Sequence, residues 1–133
     1  MSKGYLLDTC AWLDAFNAPQ MLRADIRALV SQQSIFHLAD ITLLEVARKV
    51  EVGDLILATS IERWFEMALP PQRSLVLPIT TQIAIESSLL PTPFHKDPAD
   101  RLIVATARIH GLTVITSDLK ILGYPHVASL PSR

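Results

Sequence analysis

The sequence predicts an α/β fold in which a parallel sheet is covered by helices on both faces. Three observations carry this expectation. Short apolar runs alternate along the chain with segments of helical period, as in successive β-α-β units. The clearest run, Leu112-Thr-Val-Ile-Thr116, is rich in the β-branched residues that suit a strand. Finally, 133 residues of which 50% are apolar are enough for one domain with its own core, so residues 1–133 are expected to form a single domain.

Tyr5-Leu6-Leu7 reads as a buried strand that stops at Asp8, after which Ala11 to Phe16 follow helical spacing. A second helix is expected over 21–32, and a short strand over 34–38. Thr42-Leu-Leu-Glu45 has the form of a capping box, with a helix running on to a stop at Gly53. A further helix is expected over 55–69, closed by Pro70-Pro71, then a strand over 73–77 and a helix opened by Thr80 or Thr81. Asp97-Pro98 begins the most apolar helix, with Asp97 as N-cap and Pro98 at the first helical position. Gly111 ends it, Leu112 to Thr116 form a strand, Asp118 enters a short helix, and 126–130 complete the sheet at its edge.

Bulk properties narrow the function. The net charge of −1 provides no global field for nucleic acid or an anionic membrane, and leaves room for an enzyme with a local basic rim. The single cysteine, Cys10, excludes an internal disulfide and fits a reducing cytoplasm. No apolar run approaches the length of a membrane span, and Met-Ser-Lys-Gly lacks the apolar core of a signal peptide. The high apolar fraction suggests surface that ends in a partner interface.

The functional signal is acidic. Asp8 and Asp118 are expected at strand C-termini, and Glu45, Asp97 and Asp100 in the first turns of helices. In an open α/β sheet these positions share the edge at which ligands bind. Asp100 shares its helical face with Ile103, Val104 and Ala107, so its carboxylate faces the interior. Two carboxylates about 4 Å apart repel by roughly 4 kcal/mol at an effective dielectric near 20, so a convergent set requires a cation. Oxygen donors suit Mg2+ or Mn2+, and the lack of a Cys or His cluster argues against zinc. Each acid also has a plainer role: Asp8, Asp97 and Asp118 as helix caps, Glu45 as the return half of its capping box or as partner of Lys49.

Leu6-Leu7-Asp8-Thr9, Glu45 in its Thr-x-x-Glu helix start, Asp97-Pro-Ala-Asp100-Arg-Leu-Ile-Val-Ala and Thr116-Ser-Asp118 resemble the motifs of the PIN domain, and within it the VapC-type toxins of toxin–antitoxin pairs. The resemblance spans essentially the whole chain in order. It implies a PIN-like α/β/α sandwich with a central, mainly parallel sheet. It also implies an endoribonuclease that hydrolyses RNA phosphodiesters with water activated by Mg2+ or Mn2+. Asp8, Glu45, Asp100 and Asp118 match the acidic quartet, Asp97 an additional acid counted among the metal ligands, and Thr116 a supporting hydroxyl. Homodimers and a cognate VapB-type antitoxin are implied as well. Two other readings are a catalytically silent PIN scaffold that binds RNA or a partner, and a receiver-like phospho-acceptor domain. The latter lacks the paired acids after the first strand and the lysine after the last.

Arg48, Lys49, Lys96 and Arg101 are the candidate RNA contacts, with Lys120 a further rim cation. The expected settings are a solvated face for Arg48, Lys49 and Lys120, loop exposure for His95 and Lys96, and pairing with Asp97 for Arg101. Trp12 and Phe16 are expected in the core. Trp64 and Phe65, with Leu69, fall where the resemblance implies an antitoxin-binding groove. His37, His110 and His126 show no metal spacing, and Cys10 reads as a small buried residue.

Overall fold

The computed structural model describes residues 4–133; the Met-Ser-Lys stretch weighed for a signal peptide lies outside the described residues. Five strands, β1 (Tyr5–Leu7), β2 (Phe36–Ala39), β3 (Ser74–Leu77), β4 (Thr113–Thr116) and β5 (Ser129–Pro131), pair in the order β3-β2-β1-β4-β5. Every pairing is parallel, as the alternation of elements predicts. Seven helices connect or follow them: α1 (Thr9–Asn17), α2 (Ala24–Gln32), α3 (Ile41–Glu51), α4 (Ile61–Ala68), α5 (Thr81–Ser88), α6 (Pro98–His110) and α7 (Leu119–Leu122).

Strand side chains alternate between two cores. Leu6 and Val114 face one, with Ile103, Val104 and Ala107 of α6 and Ile121 of α7. Leu7 and Ile115 face the other, with Ala11 and Trp12 of α1, Ile26 of α2, Val46 of α3 and Trp64 of α4. Helices therefore cover both faces, which explains why the strands read as continuous apolar runs rather than alternating ones.

Local chemistry sets the element ends. Asp97 accepts from the Ala99 and Asp100 N–H groups at the start of α6, and Gly111 closes it at φ +67°, a left-handed cap that favours glycine. Thr80 accepts from the Ile83 N–H and opens α5.

Three local expectations are corrected. The second helix starts at Ala24 rather than Met21: Pro19–Met21 form a separate 3-10 turn, and extended Leu22 drops its side chain into the core. The 55–69 helix is confined to Ile61–Ala68, because Ser60 caps it through the Arg63 N–H. Leu55 and Leu57 reach the core from a loop instead. The Thr42–Glu45 capping box does not form. Asp40 takes the N-cap position without a side-chain cap, Thr42 is fully buried, and Glu45 is left free to face elsewhere.

Candidate active site

The strand order reverses between β1 and β4. At such a switch point the connections leave in opposite directions and open a crevice at the strand C-termini. Asp8 follows β1 at this point and Ser117-Asp118 follow β4. The ladder continues into the site, with the Asp8 N–H donating to the Ile115 carbonyl at 3.1 Å.

Asp8 is 6% exposed. One carboxylate oxygen accepts from the Ala11 N–H at 2.8 Å, capping α1, and the other accepts from the Thr116 hydroxyl. That hydroxyl in turn accepts from the Asp118 N–H at 2.9 Å, so Thr116 fixes both strand-end acids. Thr9 does the same for α3: its hydroxyl donates to Glu45 Oε1 at 2.5 Å, and Thr42 Oγ1 lies 3.3 Å from it. Asp118 also caps α7 by accepting from the Lys120 N–H. The caps proposed for Asp8 and Asp118 are thus real and coexist with a place in the site.

On the facing wall, Asp100 projects from the first turn of α6 above Ile103 and Val104, as its helical register requires. His95 Nε2 lies 3.1 Å from Asp100 Oδ2, and suitable donor atoms of His95, Asp100 and Asp118 all fall within 4.8 Å of one another. The expected loop exposure of His95 is corrected: the ring is mostly buried and packs edge-on against Phe94 at 4.6 Å. Nothing in the local pattern marks it, because it meets Asp100 across the start of α6, from the loop that precedes the helix.

Asp8, Glu45, Asp100 and Asp118 line one cleft of about 310 Å³, joined by Thr9, Cys10, Lys49, Ile103 and Ser117. Burial raises the Asp8 carboxyl to about 6 against the pull of its Thr116 and Ala11 hydrogen bonds, with Asp118 and Glu45 adding repulsion. Asp100 is raised to about 7, by burial first and then by the charges of Asp97, Asp118 and Glu45. These acids crowd with Lys49 the one lysine or arginine among the residues that line the cleft, and no lysine or arginine forms an ion pair with any of the four among the described residues. The donor set of carboxylate oxygens with one adjacent imidazole fits a divalent metal ion.

Other candidates fall differently. Asp97 does not line the cleft, and its structural contacts are those of the α6 cap. Arg101 neither pairs with Asp97 nor is free for RNA. Its guanidinium donates to the carbonyls of Ser87 at 2.8 Å and His95 at 3.1 Å, with longer bonds to Ser88 and Phe94, because the end of α5 and the following loop offer unpaired carbonyls. Lys49 is half-buried in the cleft wall rather than on a solvated face, whereas Arg48 and Lys96 are exposed. Cys10 is exposed at the cleft, not buried, because the first turn of α1 lies on the open edge. Trp12 is fully buried, with its indole N–H donating to the Ala68 carbonyl.

One ion pair escaped the sequence, and a groove lies beside Trp64 as the resemblance implies. Asp14, also 6% exposed, is held by Arg133 through bonds of 2.9 and 3.0 Å. A groove of about 330 Å³ runs between α1 and α4, lined by Phe16, Ile56, Leu57, Trp64 and Met67 among others. Ile56 there is 89% exposed, and the Trp64 indole N–H donates to Asn17.

Comparison with known proteins places this arrangement. The family described as PIN domain matches residues 5–126. Ribonuclease VapC22 of Mycobacterium tuberculosis (strain ATCC 25618 / H37Rv) is 31% identical over 108 residues, 81% of this chain and 82% of that protein. Among solved structures, a toxin-antitoxin complex from Klebsiella pneumoniae is similar at TM-score 0.68 and 25% identity, covering 95% of each chain. VapBC2 from Rickettsia felis, bound to a DNA fragment from its promoter, shares the fold at TM-score 0.70 and 16% identity, covering 98% of this chain and 99% of that one.

Proposed function

The chain belongs to the PIN domain family, and from that premise we propose that it is the toxin of a type II toxin–antitoxin pair, a metal-dependent endoribonuclease working as a single PIN domain over residues 1–133. The observation that carries the reading is the convergence of Asp8, Glu45, Asp100 and Asp118, from four separate elements, in one cleft at the switch point. These four carboxylates hold Mg2+ or Mn2+. When bound, such an ion supplies Lewis-acid stabilisation of phosphoryl charge and makes water acidic enough to act as a nucleophile.

The chain's own residues prepare that chemistry. Thr116 aims Asp8 and anchors the Asp118 backbone, while Thr9 aims Glu45, so the carboxylates are oriented before substrate arrives. Lys49 places a positive charge on the cleft wall for a substrate phosphate, and exposed Arg48 and Lys96 track the RNA backbone outside it. Asp97 caps α6 and sets its own negative charge beside Asp100.

The partners follow the relatives. The apolar groove beside Trp64, with Phe16, Ile56 and Met67, receives a cognate VapB-type antitoxin, and two copies of the chain form a homodimer. No helix among the described residues is long and apolar enough to cross a membrane, and the one cysteine is unpaired, in keeping with a cytoplasmic setting.

The test is cleavage of structured RNA by the purified protein with Mg2+ or Mn2+. Cleavage should stop on chelation, return on metal addition, and be lost in Asp100→Asn. Chelation-resistant cleavage, or full activity in Asp100→Asn, would sink the reading.

A further inference from the structure

We infer that His95 is a nitrogen ligand in the metal centre, beside Asp100 and Asp118, and that it turns a carboxylate site into one that prefers Mn2+ and its transition-metal neighbours to Mg2+. The inference rests on the reading of the cleft as a metal centre and adds a donor that the acidic pattern does not contain.

Geometry comes first. Nε2 of His95 stands 3.1 Å from Asp100 Oδ2, with an Asp118 carboxylate oxygen in the same cluster. Bonds of about 2.0–2.1 Å in an octahedral shell put neighbouring donors about 3 Å apart. The observed spacing fits two donors sharing one ion, and a direct imidazole–carboxylate pair is the alternative that the experiment below separates.

Hydrogen bonding points the same way. His95 Nε2 is shielded from solvent and has no hydrogen-bond partner of good geometry. In the neutral ring with its proton on Nδ1, Nε2 is a lone pair facing carboxylate lone pairs, an arrangement that a shared cation satisfies.

The ring is also held in place. Arg101 grips the His95 carbonyl at 3.1 Å, Phe94 packs edge-on against the imidazole, and Phe94 rests on Tyr124 at 4.4 Å. Arg101, in line for RNA by sequence, is instead a positioning residue for the loop that carries His95.

Chemistry then sets the preference. Mg2+ favours hard oxygen donors, whereas imidazole nitrogen raises affinity for Mn2+ and the ions beyond it in the first-row series. Loss of the nitrogen should cost Mn2+ affinity about 10- to 100-fold while changing Mg2+ affinity much less.

The experiment reads the bond without RNA. Mn2+ is bound to the metal-free protein, and electron spin-echo envelope modulation is recorded for wild type and His95→Gln, with Mn2+ and Mg2+ affinities measured by calorimetry. Wild type should show 14N modulation, and His95→Gln should bind Mn2+ more weakly without it. Bound Mn2+ with no 14N modulation in wild type overturns the ligation and leaves a carboxylate-only centre standing. Modulation that persists in His95→Gln assigns the nitrogen elsewhere and also overturns it. If wild type binds no Mn2+, both this inference and the metal centre itself fall.

Discussion

Helix α1 presents two aspartates of equal burial and opposite treatment. Asp14, near its C-terminal end, receives two hydrogen bonds from the Arg133 guanidinium. Asp8, at its N-cap, receives one backbone N–H and one threonine hydroxyl and no cation, so burial holds its carboxyl up to about 6. A chain of this length is able to supply an arginine where a buried charge is only structural. Where it sets four carboxylates against a single lysine, Lys49, the balancing charge comes from outside the chain. The contrast separates a buried acid that completes the fold from one that the fold prepares for use.

The contrast is broken most sharply by mutation. Asp8→Asn keeps the cap, since Asn caps about as well as Asp, but removes a charge needed to hold the ion. RNA cleavage should fall about 100-fold or more, the equivalent of several kcal/mol of transition-state stabilisation, with the melting temperature preserved or raised. Arg133→Ala should do the reverse. It leaves Asp14 buried without its partner and should cost about 1–3 kcal/mol in denaturant unfolding, the lower part of the range for buried pairs because the guanidinium is half-exposed. Cleavage at permissive temperature should change little. If Asp8→Asn unfolds the protein, or Arg133→Ala abolishes cleavage in a folded protein, the two aspartates are not distinct in kind.

A smaller effect appears in pH. Asp8 and Asp100 have folded-state values of about 6 and about 7, above those of an unfolded chain. Between roughly pH 4 and 7 the folded state therefore binds more protons than the unfolded one, so stability falls as pH rises through that window. The metal-free protein should melt several degrees lower at pH 8 than at pH 5. Excess Mn2+ should recover the loss at pH 8, because it binds the folded state. A metal-free melting temperature that rises over this range would refute the uncompensated cluster. The smallest effect belongs to Asp97→Asn, which should preserve both stability and cleavage because Asn keeps the cap. Loss of cleavage alone, measured on the same RNA, would restore Asp97 to the site.

What the sequence disclosed depended on how local the cause was. Asp97, Thr80 and Gly111 act through bonds to residues a few positions away, so the starts of α5 and α6 and the end of α6 were legible. The parallel sheet was legible in runs such as Tyr5-Leu6-Leu7, apolar on successive residues because both faces are covered. The acids were legible because strand ends and helix starts share an edge. The 55–60 segment was not: Leu55 and Leu57, two residues apart, fill the core from a loop, and only the Ser60 cap signals the real start of α4. His95 and Arg101 were misplaced because their partners are not at helical or strand spacing. Arg101 reaches the carbonyls of Ser87 and Ser88 at the end of α5, as well as those of Phe94 and His95, and His95 reaches Asp100 across the start of α6.

The hydrogen bond from Thr116 to Asp8 spans 108 residues, and the Asp14–Arg133 pair spans 119. During synthesis, Asp8 must therefore wait for the 108 residues that follow it before its carboxylate is oriented. Strand β1 cannot take its central place until β4 has been made, since β4 is its neighbour on the cleft side. A fragment that ends before Thr116 therefore has the first three acids but neither the hydroxyl that aims Asp8 nor Asp118. The cleft is complete only when residues from Asp8 to Asp118 are folded together, so a fragment that lacks β4 and the residues after it holds no partial nuclease.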